Sequence, residues 1–252
     1  MIALTHVPDG PISDLVERLW LYHGFSHGRE LTLPTGSMDL VVDLRSGRGF
    51  VCGPRSTSYV LDAIDDASVV GVHFRAGGAS SCLNFPCREV HNAHVPMEEF
   101  WQDDSARLCD RLLTVQTPRA KFAILQQFLV SITPNRLGRH PLVASALREC
   151  TDPSRRISDI ADRLGVSHRR LIQLFRDEVG LTPKEFCRVR RFGQVLQRIA
   201  GEQRVPWAKL AIDCGYYDQA HMINDFEEFS GLSPNAYLRR RGDRPYHIPL
   251  PA

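Results

Sequence analysis

The sequence has no long apolar run and no paired framework of cysteines, and both absences narrow the class of protein. Nowhere do about eighteen apolar residues follow one another, and the opening MIALTHVPDGPISD has no basic segment followed by an apolar stretch. We therefore expect neither a membrane-spanning segment nor a secretory signal. The seven cysteines are odd in number and scattered, and none lies in residues 1–51. This distribution is typical of reduced thiols in a cytoplasm rather than of a disulfide framework.

Motifs for the common enzyme chemistries are also missing. There is no glycine-rich phosphate loop, no nucleophile elbow and no motif of paired carboxylates. His73 in VVGVHFR alternates with Val70 and Val72, so we interpret it as an interior or rim histidine of a strand rather than as a catalytic base. The sequence therefore predicts a protein that is not an enzyme and that uses no cofactor.

What is present is an ordinary globular composition with an uneven distribution of charge. The 252 residues are 43% hydrophobic and 24% charged, which is enough for two domains with substantial cores. The net charge of +2 conceals a basic segment, because residues 155–198 hold eleven Lys and Arg but five Asp and Glu. Such a concentration of positive charge indicates a polyanionic partner.

The first half of the chain is predicted to be β-rich and then helical. Six short segments between about residues 16 and 75 have strand character: VERLWLYHGF, ELTLP, MDLVVDLR, GRGFVCG, TSYVLDAI and ASVVGVHFR. Two helical patterns follow, and their apolar positions are Leu108, Leu112 and Val115, then Phe122, Leu125, Leu129 and Ile132. These apolar stripes either pack against the β unit or pair two copies of the chain in a homodimer.

Residues 134–141 are predicted to be a linker, and a motif occurs twice beyond them. ISDIADRLGVSHRRLIQLFRDEVGLTP aligns with WAKLAIDCGYYDQAHMINDFEEFSGLSP, with equivalent residues 50 positions apart before the turn and 51 after it. Each copy has a small Ala for a close helix crossing, a Gly for a tight bend, a polar N-cap and a second helix ended by Gly. This is the pattern of a helix-turn-helix unit. A helical solenoid is the alternative, but a stable solenoid needs three or more repeats.

The second helix of each copy is the predicted DNA-binding element. Because Leu171, Leu174 and Phe175 must face inward, helical geometry turns the following residues outward: Arg169, Arg170, Ile172, Gln173 and Arg176. Such side chains suit base edges in the major groove and phosphates. In the second copy the outward residues are Gln219, Ala220, His221, Ile223 and Asn224, flanked by carboxylates that should weaken binding. The helix between the copies carries four arginines suited to phosphates: Arg188, Arg190, Arg191 and Arg198.

These residues resemble the AraC/XylS family of bacterial transcriptional regulators over roughly residues 140–241. The similarity is carried by Ile160-Ala161, Gly165, Leu171, Phe175 and GLTP, and by Leu210-Ala211, Gly215-Tyr216, Phe226 and GLSPNAYL. It implies two helix-turn-helix units bridged by one helix, with both second helices entering successive major-groove faces. By the family's pattern the base readers are Arg169, Ile172 and Gln173, and then Ala220, Ile223 and Asn224. Asn224 stands where a basic residue is common.

The resemblance extends more weakly to the first half, through PTGSMDLVVDL, CGPRS and VVGVHFRAGG. It implies a β-rich sensing domain, cupin-like or related, that binds a small effector or mediates pairing. The expected fold class is therefore α+β, with a sensing domain and its flanking helices at 1–133, the linker, an all-α double helix-turn-helix domain at 142–241, and a tail at 242–252. The predicted function is that of a cytoplasmic, sequence-specific transcriptional regulator whose partner is double-stranded DNA and not a membrane.

Four potential metal ligands suggest a different stimulus for such a regulator. Cys82, Cys87, His91 and His94 lie within thirteen residues, and zinc accepts two thiolates and two imidazoles. If they bound a metal, the protein would be a metal- or thiol-responsive regulator. The spacing CxxxxCxxxHxxH is not a common zinc framework, so we expect no metal. Some DNA-repair alkyl-acceptor proteins carry a similar C-terminal unit behind a four-cysteine zinc site, whose cysteines this chain lacks.

Overall fold

The fold combines β-sheets from the first half of the chain with helices from the second. A computed structural model describes residues 2–23, 29–62, 68–83, 85–133, 138–152, 155–242 and 244–250. Over these ranges the chain forms nine strands and nine α-helices, so the predicted α+β class is confirmed. No helix in the described part of the chain has both the length and the apolar character needed to cross a bilayer.

The strands form two antiparallel sheets. They are β1 (Ile2–His6), β2 (Val16–His23), β3 (Arg29–Thr32), β4 (Asp39–Asp43), β5 (Arg48–Cys52), β6 (Tyr59–Asp62), β7 (Ser68–Phe74), β8 (His94–Pro96) and β9 (His247–Pro249). The larger sheet has the order β1-β2-β7-β4-β5-β8, and the smaller has the order β6-β3-β9. The six predicted strand segments correspond to β2 through β7. Residues 24–25, 63–64 and 67 of those segments lie outside the described residues.

Alternation of side chains explains why these segments are strands. In β4, Leu40 and Val42 are fully buried while Val41 between them is half-buried, as expected where successive side chains point to opposite faces. Leu40 pairs in register with Val72 of the central strand β7. His73 is 6% exposed, and its Nδ1 lies 2.9 Å from Asp39 Oδ1, so its interpretation as an interior histidine agrees with the structure.

Two helices cover the larger sheet. They are α1 (Glu98–Thr114) and α2 (Pro118–Ile132). Leu108 and Leu112 of α1 and Leu125 and Leu129 of α2 belong to the same buried core as the sheet residue Leu40. The predicted apolar stripes therefore pack against the β unit. Val115 lies just beyond α1 in extended backbone and packs at the margin of that core.

In the second half of the chain the described residues form seven helices: α3 (Pro141–Glu149), α4 (Ile157–Arg163), α5 (His168–Val179), α6 (Pro183–Ile199), α7 (Trp207–Asp213), α8 (Gln219–Ser230) and α9 (Pro234–Arg240). Of the predicted linker, residues 134–137 lie outside the described residues. Helix α6 belongs to two cores. Near its start Phe186 packs with Phe175 of the first repeat, and farther along Phe192 packs with Phe226 of the second. Both repeats therefore pack against the same helix, α6.

The two halves are joined by direct contacts that the sequence did not predict. Strand β9, from the tail, pairs with β3 over His247–Pro249, and Ile248 opposes Leu31. Ile248 and Leu33 are both fully buried in the core of the second repeat. The smaller sheet is therefore built from both ends of the chain, and it is continuous with the helical core.

Candidate nucleic-acid interface

The first helix-turn-helix unit consists of α4, a turn and α5. Ala161 is buried where α4 meets its neighbours, and Gly165 in the turn has a φ of 68°, a left-handed conformation that favours glycine. Ser167 then caps α5, because its Oγ accepts a hydrogen bond from the backbone N–H of Arg170 at 3.2 Å. Leu171 and Phe175 are fully buried, which fixes the rotation of α5 about its axis.

The opposite face of α5 is basic and open to solvent. Arg169, Arg170, Gln173 and Arg176 are exposed, and Ile172 is half-buried. Among the described residues, none of the three arginines forms an ion pair with a carboxylate. Within the described residues, no direct ion pair therefore compensates these charges. An arginine with free donors can bind a phosphate or a guanine edge without first breaking an internal salt bridge.

The other end of α5 docks on the first half of the chain. Arg88, in the 3₁₀ turn Cys87–Val90, forms an ion pair with Asp177. Ser80 Oγ donates a hydrogen bond to Glu178 at 2.7 Å. The acidic last turn of α5 is thus engaged by N-terminal residues, while the basic first turns stay free.

The second unit repeats this local design with α7 and α8. Gly215 has a φ of 78°, and Asp218 accepts a hydrogen bond from the backbone N–H of His221 at 2.7 Å. Met222 and Phe226 are fully buried. Of the predicted contact residues on α8, Gln219, Ala220 and Asn224 are exposed, whereas His221 and Ile223 are half-buried. The ring of His221 packs edge-on against Tyr216 at 5.2 Å between centroids.

The arginines of α6 have different environments. The sequence suggested that all four present free charge, but Arg188 donates to Asp225 at 2.7 Å and 3.1 Å and to Glu228 at 3.0 Å. The hydrogen bond to Glu228, with that to Asp225, raises the pKa of Arg188 despite partial burial. Arg191 lies 3.9 Å from Asp225, and its guanidinium stacks 5.1 Å from the centre of the Tyr216 ring.

The remaining two α6 arginines are less constrained. Arg198 is half exposed and 3.8 Å from Asp213, and Arg190 has no carboxylate partner in the described part of the chain. Arg188 pairs with both Asp225 and Glu228, so its single positive charge offsets part of the acidic character predicted around α8. The exposed Glu227 and the partly compensated Glu228 still repel phosphates.

A basic cleft of about 620 Å³ lies between the two repeats along α6. It contains Arg190 and Arg191, and His221 from α8 lies at its border. Sequence reasoning missed four further polar residues that line it: Arg155, Arg156, Lys184 and Gln194. Their basic and amide character was visible in the sequence. Their convergence was not, because it depends on how α3, α4 and α6 pack.

One exposed aromatic beside α8 was also missed. Tyr217 is 87% exposed and precedes the cap residue Asp218. A large ring in that position is unusual for a solvated turn and lies beside the first residues of the predicted reading helix. The signal available in the sequence was the extra residue in the second turn.

The residues considered for a metal site do not converge. Cys82 and Cys87 are buried, and burial raises the pKa of each thiol to about 12. His91 Nε2 is 3.0 Å from Ser56 Oγ, and His94 packs edge-on against Tyr59. Over the described residues, no group of three or more Cys, His, Asp or Glu side chains is arranged to hold a metal ion.

Comparison with known families gives one match in each half of the chain. Residues 132–240 match the family described as a helix-turn-helix domain, of the AraC type, and residues 4–96 match a domain of unknown function (DUF6597). No curated protein matches the chain.

Several solved structures are similar to the chain at low identity. The C-terminal domain of AraT, a response regulator from Geobacillus stearothermophilus, is 23% identical over 40% of this chain and 87% of its own, with a TM-score of 0.38. ToxT from Vibrio cholerae is 10% identical over 87% of this chain and 93% of its own, with a TM-score of 0.44. The same protein with an unsaturated fatty acid bound is 11% identical over 86% and 90%, with a TM-score of 0.39. The two family matches show that the chain carries a helix-turn-helix domain of the AraC type at its C-terminus, preceded by a DUF6597 domain.

Proposed function

We propose that the protein is a sequence-specific DNA-binding transcriptional regulator controlled by a small effector bound to its N-terminal domain. The observation that carries the proposal is the exposed face of α5, where Arg169, Arg170 and Arg176 have no carboxylate partner in the described part of the chain. A surface of this kind matches the major groove in charge and in hydrogen-bond donors.

Each part of the interface has a separate role in this proposal. Arg169 and Gln173 read bases, because paired donors or a side-chain amide can contact guanine or adenine edges. Ile172 meets a thymine methyl group. Arg170 and Arg176 contact phosphates, as does Arg190 from the basic cleft. The second unit contributes through the exposed residues Gln219, Ala220 and Asn224, while His221 and Ile223 support them and Arg191 orients α8 through Asp225.

Selection of bound fragments from random duplex DNA tests the regulator assignment directly. We expect a consensus with two readable segments about one helical turn apart, since both units are fixed to α6. The spacing of recovered sites also reports whether one copy or a homodimer binds. Recovery of unselected sequence at every position would contradict sequence-specific binding.

The role of Arg169 is tested by Arg169→Ala. We expect this change to weaken binding to the selected site by about 5- to 150-fold and to relax preference at one base pair, while binding to random duplex is affected less. Arg170→Ala should weaken binding to the selected site and to random duplex equally. It should also reduce the salt dependence of binding by about one counterion. Arg119→Ala, an exposed arginine of α2, is the matched control and should bind as the wild type does. Equal losses on both duplexes for Arg169→Ala would remove its base-reading role.

Arg55 supports an effector site in the N-terminal domain. Its guanidinium stacks 3.8 Å from the centre of the Tyr59 ring, and its buried Nε has no hydrogen-bond partner in the described part of the chain. Burial lowers the pKa of Arg55. An anionic effector would supply the missing hydrogen-bond partner of Arg55.

We propose that residues 1–133 sense the effector, that residues 134–141 are a linker and that residues 142–241 bind DNA. We also propose a cytoplasmic location.

The effector proposal has its own test. Small organic carboxylates that bind near Arg55 should raise the melting temperature of the wild type. They should leave the melting temperature of Arg55→Met unchanged. A carboxylate that stabilises both proteins equally binds elsewhere, and that result would contradict the role of Arg55.

A further inference from the structure

Two cysteines meet in the basic cleft, although 37 residues separate them in the sequence. Cys150 caps the C-terminus of α3, and Cys187 lies in the second turn of α6. Cys187 Sγ is 4.0 Å from the carbonyl oxygen of Cys150, to which its S–H donates a hydrogen bond. Both residues line the cleft of about 620 Å³. Cys150 is 7% exposed and Cys187 is half-buried, so the cleft gives a small reagent access to Cys187 first.

The charges around the pair make the two thiols unequal. Interaction with the Cys150 side chain lowers the pKa of Cys187, and the nearby Arg191 and Arg190 lower it further, although burial opposes them. The same interaction raises the pKa of Cys150, and burial adds to the effect. A thiolate near cations is the form of cysteine that attacks oxidants, and a neighbouring thiol can then resolve the product.

The other five cysteines differ from Cys187 in this respect. Burial is the main reason that the pKa of each of these thiols is raised. It raises the pKa of Cys52, Cys82 and Cys87 to about 12. The pKa values of Cys109 and Cys214 are raised as well. These five thiols therefore provide an internal comparison for the reactivity of Cys187.

We propose that Cys150 and Cys187 form an oxidisable dithiol in the cleft, which a peroxide converts to an intrachain disulfide between α3 and α6. The Cys187 thiolate attacks the peroxide, so that an S–O bond forms, the O–O bond breaks and the leaving oxygen takes up a proton as water or an alcohol. Cys150 then attacks the sulfenic sulfur. The S–S bond forms, the S–O bond breaks and water leaves with the proton of Cys150. Two thiols lose two electrons, and one peroxide molecule accepts them.

Treating the reduced full-length protein with hydrogen peroxide and mapping its peptides by mass spectrometry without reduction tests this step. We expect one cross-linked peptide pair, joining Cys150 to Cys187, which disappears on addition of dithiothreitol. The melting temperature of the oxidised protein should rise by about 5 °C, because the cross-link constrains the unfolded chain. In Cys150→Ser, dimedone should trap a sulfenic acid on Cys187, since no resolving thiol remains.

Two controls keep the test independent of folding and of DNA binding. Cys214→Ser should form the 150–187 link as the wild type does, because Cys214 lies in the second repeat. In the unmodified wild type, limiting iodoacetamide at neutral pH should alkylate Cys187 before the other six cysteines. A protein that forms no link between Cys150 and Cys187, or one whose first oxidised or alkylated residue is another cysteine, would overturn the proposal. None of these measurements depends on the proposed DNA-binding function.

Discussion

Arg188 is a residue whose role changed between sequence and structure. Its position on α6, in a basic segment, suggested a phosphate contact. Its guanidinium instead holds Asp225, whose side chain is 5% exposed, and packs 5.1 Å from the centre of the Phe229 ring. A buried carboxylate without a counter-ion is strongly unfavourable. Arg188 therefore stabilises the contact between α6 and α8 and so helps to fix the orientation of α8, the second helix of the second unit.

Removing this guanidinium should destabilise the fold. Arg188→Met keeps the apolar stem but leaves Asp225 with Arg191 alone, at 3.9 Å. We expect the free energy of unfolding to fall by about 3 kcal/mol, as measured by urea denaturation. Arg198→Ala, which removes an exposed partner of Asp213, should cost less than about 1 kcal/mol. Similar losses for the two variants would mean that the Asp225 contact contributes no more than an exposed ion pair.

Single residues of the reading face were predictable for a local reason. Once Leu171 and Phe175 are assigned to the core, the 3.6-residue period places Arg169 and Gln173 outside, and both are exposed in the structure. The partners of an arginine follow no such period. Asp225 is 37 residues from Arg188, and only the crossing of α6 and α8 brings them together.

At the scale of elements, the two repeats end their second helices in the same way. Gly180 and Gly231 have left-handed φ values of 83° and 67°. Each is the C-cap of its helix, and its backbone N–H donates a hydrogen bond to the carbonyl oxygen four residues earlier. Thr182 and Ser233 then cap α6 and α9, each by accepting a backbone hydrogen bond. The duplicated GLTP and GLSP segments are therefore exits from one helix and entries to the next, as the sequence predicted.

The same two glycines have unequal surroundings, which gives a matched pair of substitutions. In Gly231→Ala the new Cβ meets no atom within 4 Å, so we expect only the left-handed strain of about 1 kcal/mol. In Gly180→Ala the Cβ would lie 2.3 Å from Pro54 Cγ and 2.9 Å from the Cys87 carbonyl oxygen. We expect a loss at least twice as large, since part of the N-terminal half must move. Urea denaturation of both variants measures the difference, and equal losses would argue against tight docking of α5 on that half.

At the scale of the whole molecule, the tail ties the helices to the smaller sheet. Arg244 forms an ion pair with Glu30 of β3, and His247 Nδ1 lies 3.3 Å from the same carboxylate. The interaction with His247, followed by those with Arg244, lowers the pKa of Glu30 from 4.5 to about 2, although burial opposes the shift. The ionised form of Glu30 is therefore favoured in the folded chain.

This shift predicts how acid affects the fold. A lowered pKa contributes stability above the unfolded value of 4.5, and that contribution is lost as the pH falls toward 2. Glu30→Gln should lower the melting temperature at pH 7 by about 2–4 °C, corresponding to about 1 kcal/mol after solvent screening. The difference from the wild type should shrink steadily between about pH 5 and pH 2.

Asp62 provides the control for this prediction. Asp62 lies on β6, and its carboxylate pairs with Arg29 of the neighbouring strand β3 at 3.0 Å, but its side chain is 82% exposed. Asp62→Asn should leave the melting temperature at pH 7 unchanged. A difference between Glu30→Gln and the wild type that stays constant down to pH 2 would contradict the ion-pair explanation.

The sequence by itself determined the strands β2 to β7, the helices, the two repeats with their caps and the exposure of Arg169 and Gln173. These features follow from side-chain period and from capping residues within a few positions, which are local properties of the chain. The tertiary structure alone decided that β9 joins β3, that Arg188 holds Asp225 and that Cys150 meets Cys187. Each of these contacts joins residues far apart in sequence, and only the packing of whole elements brings such residues within bonding distance.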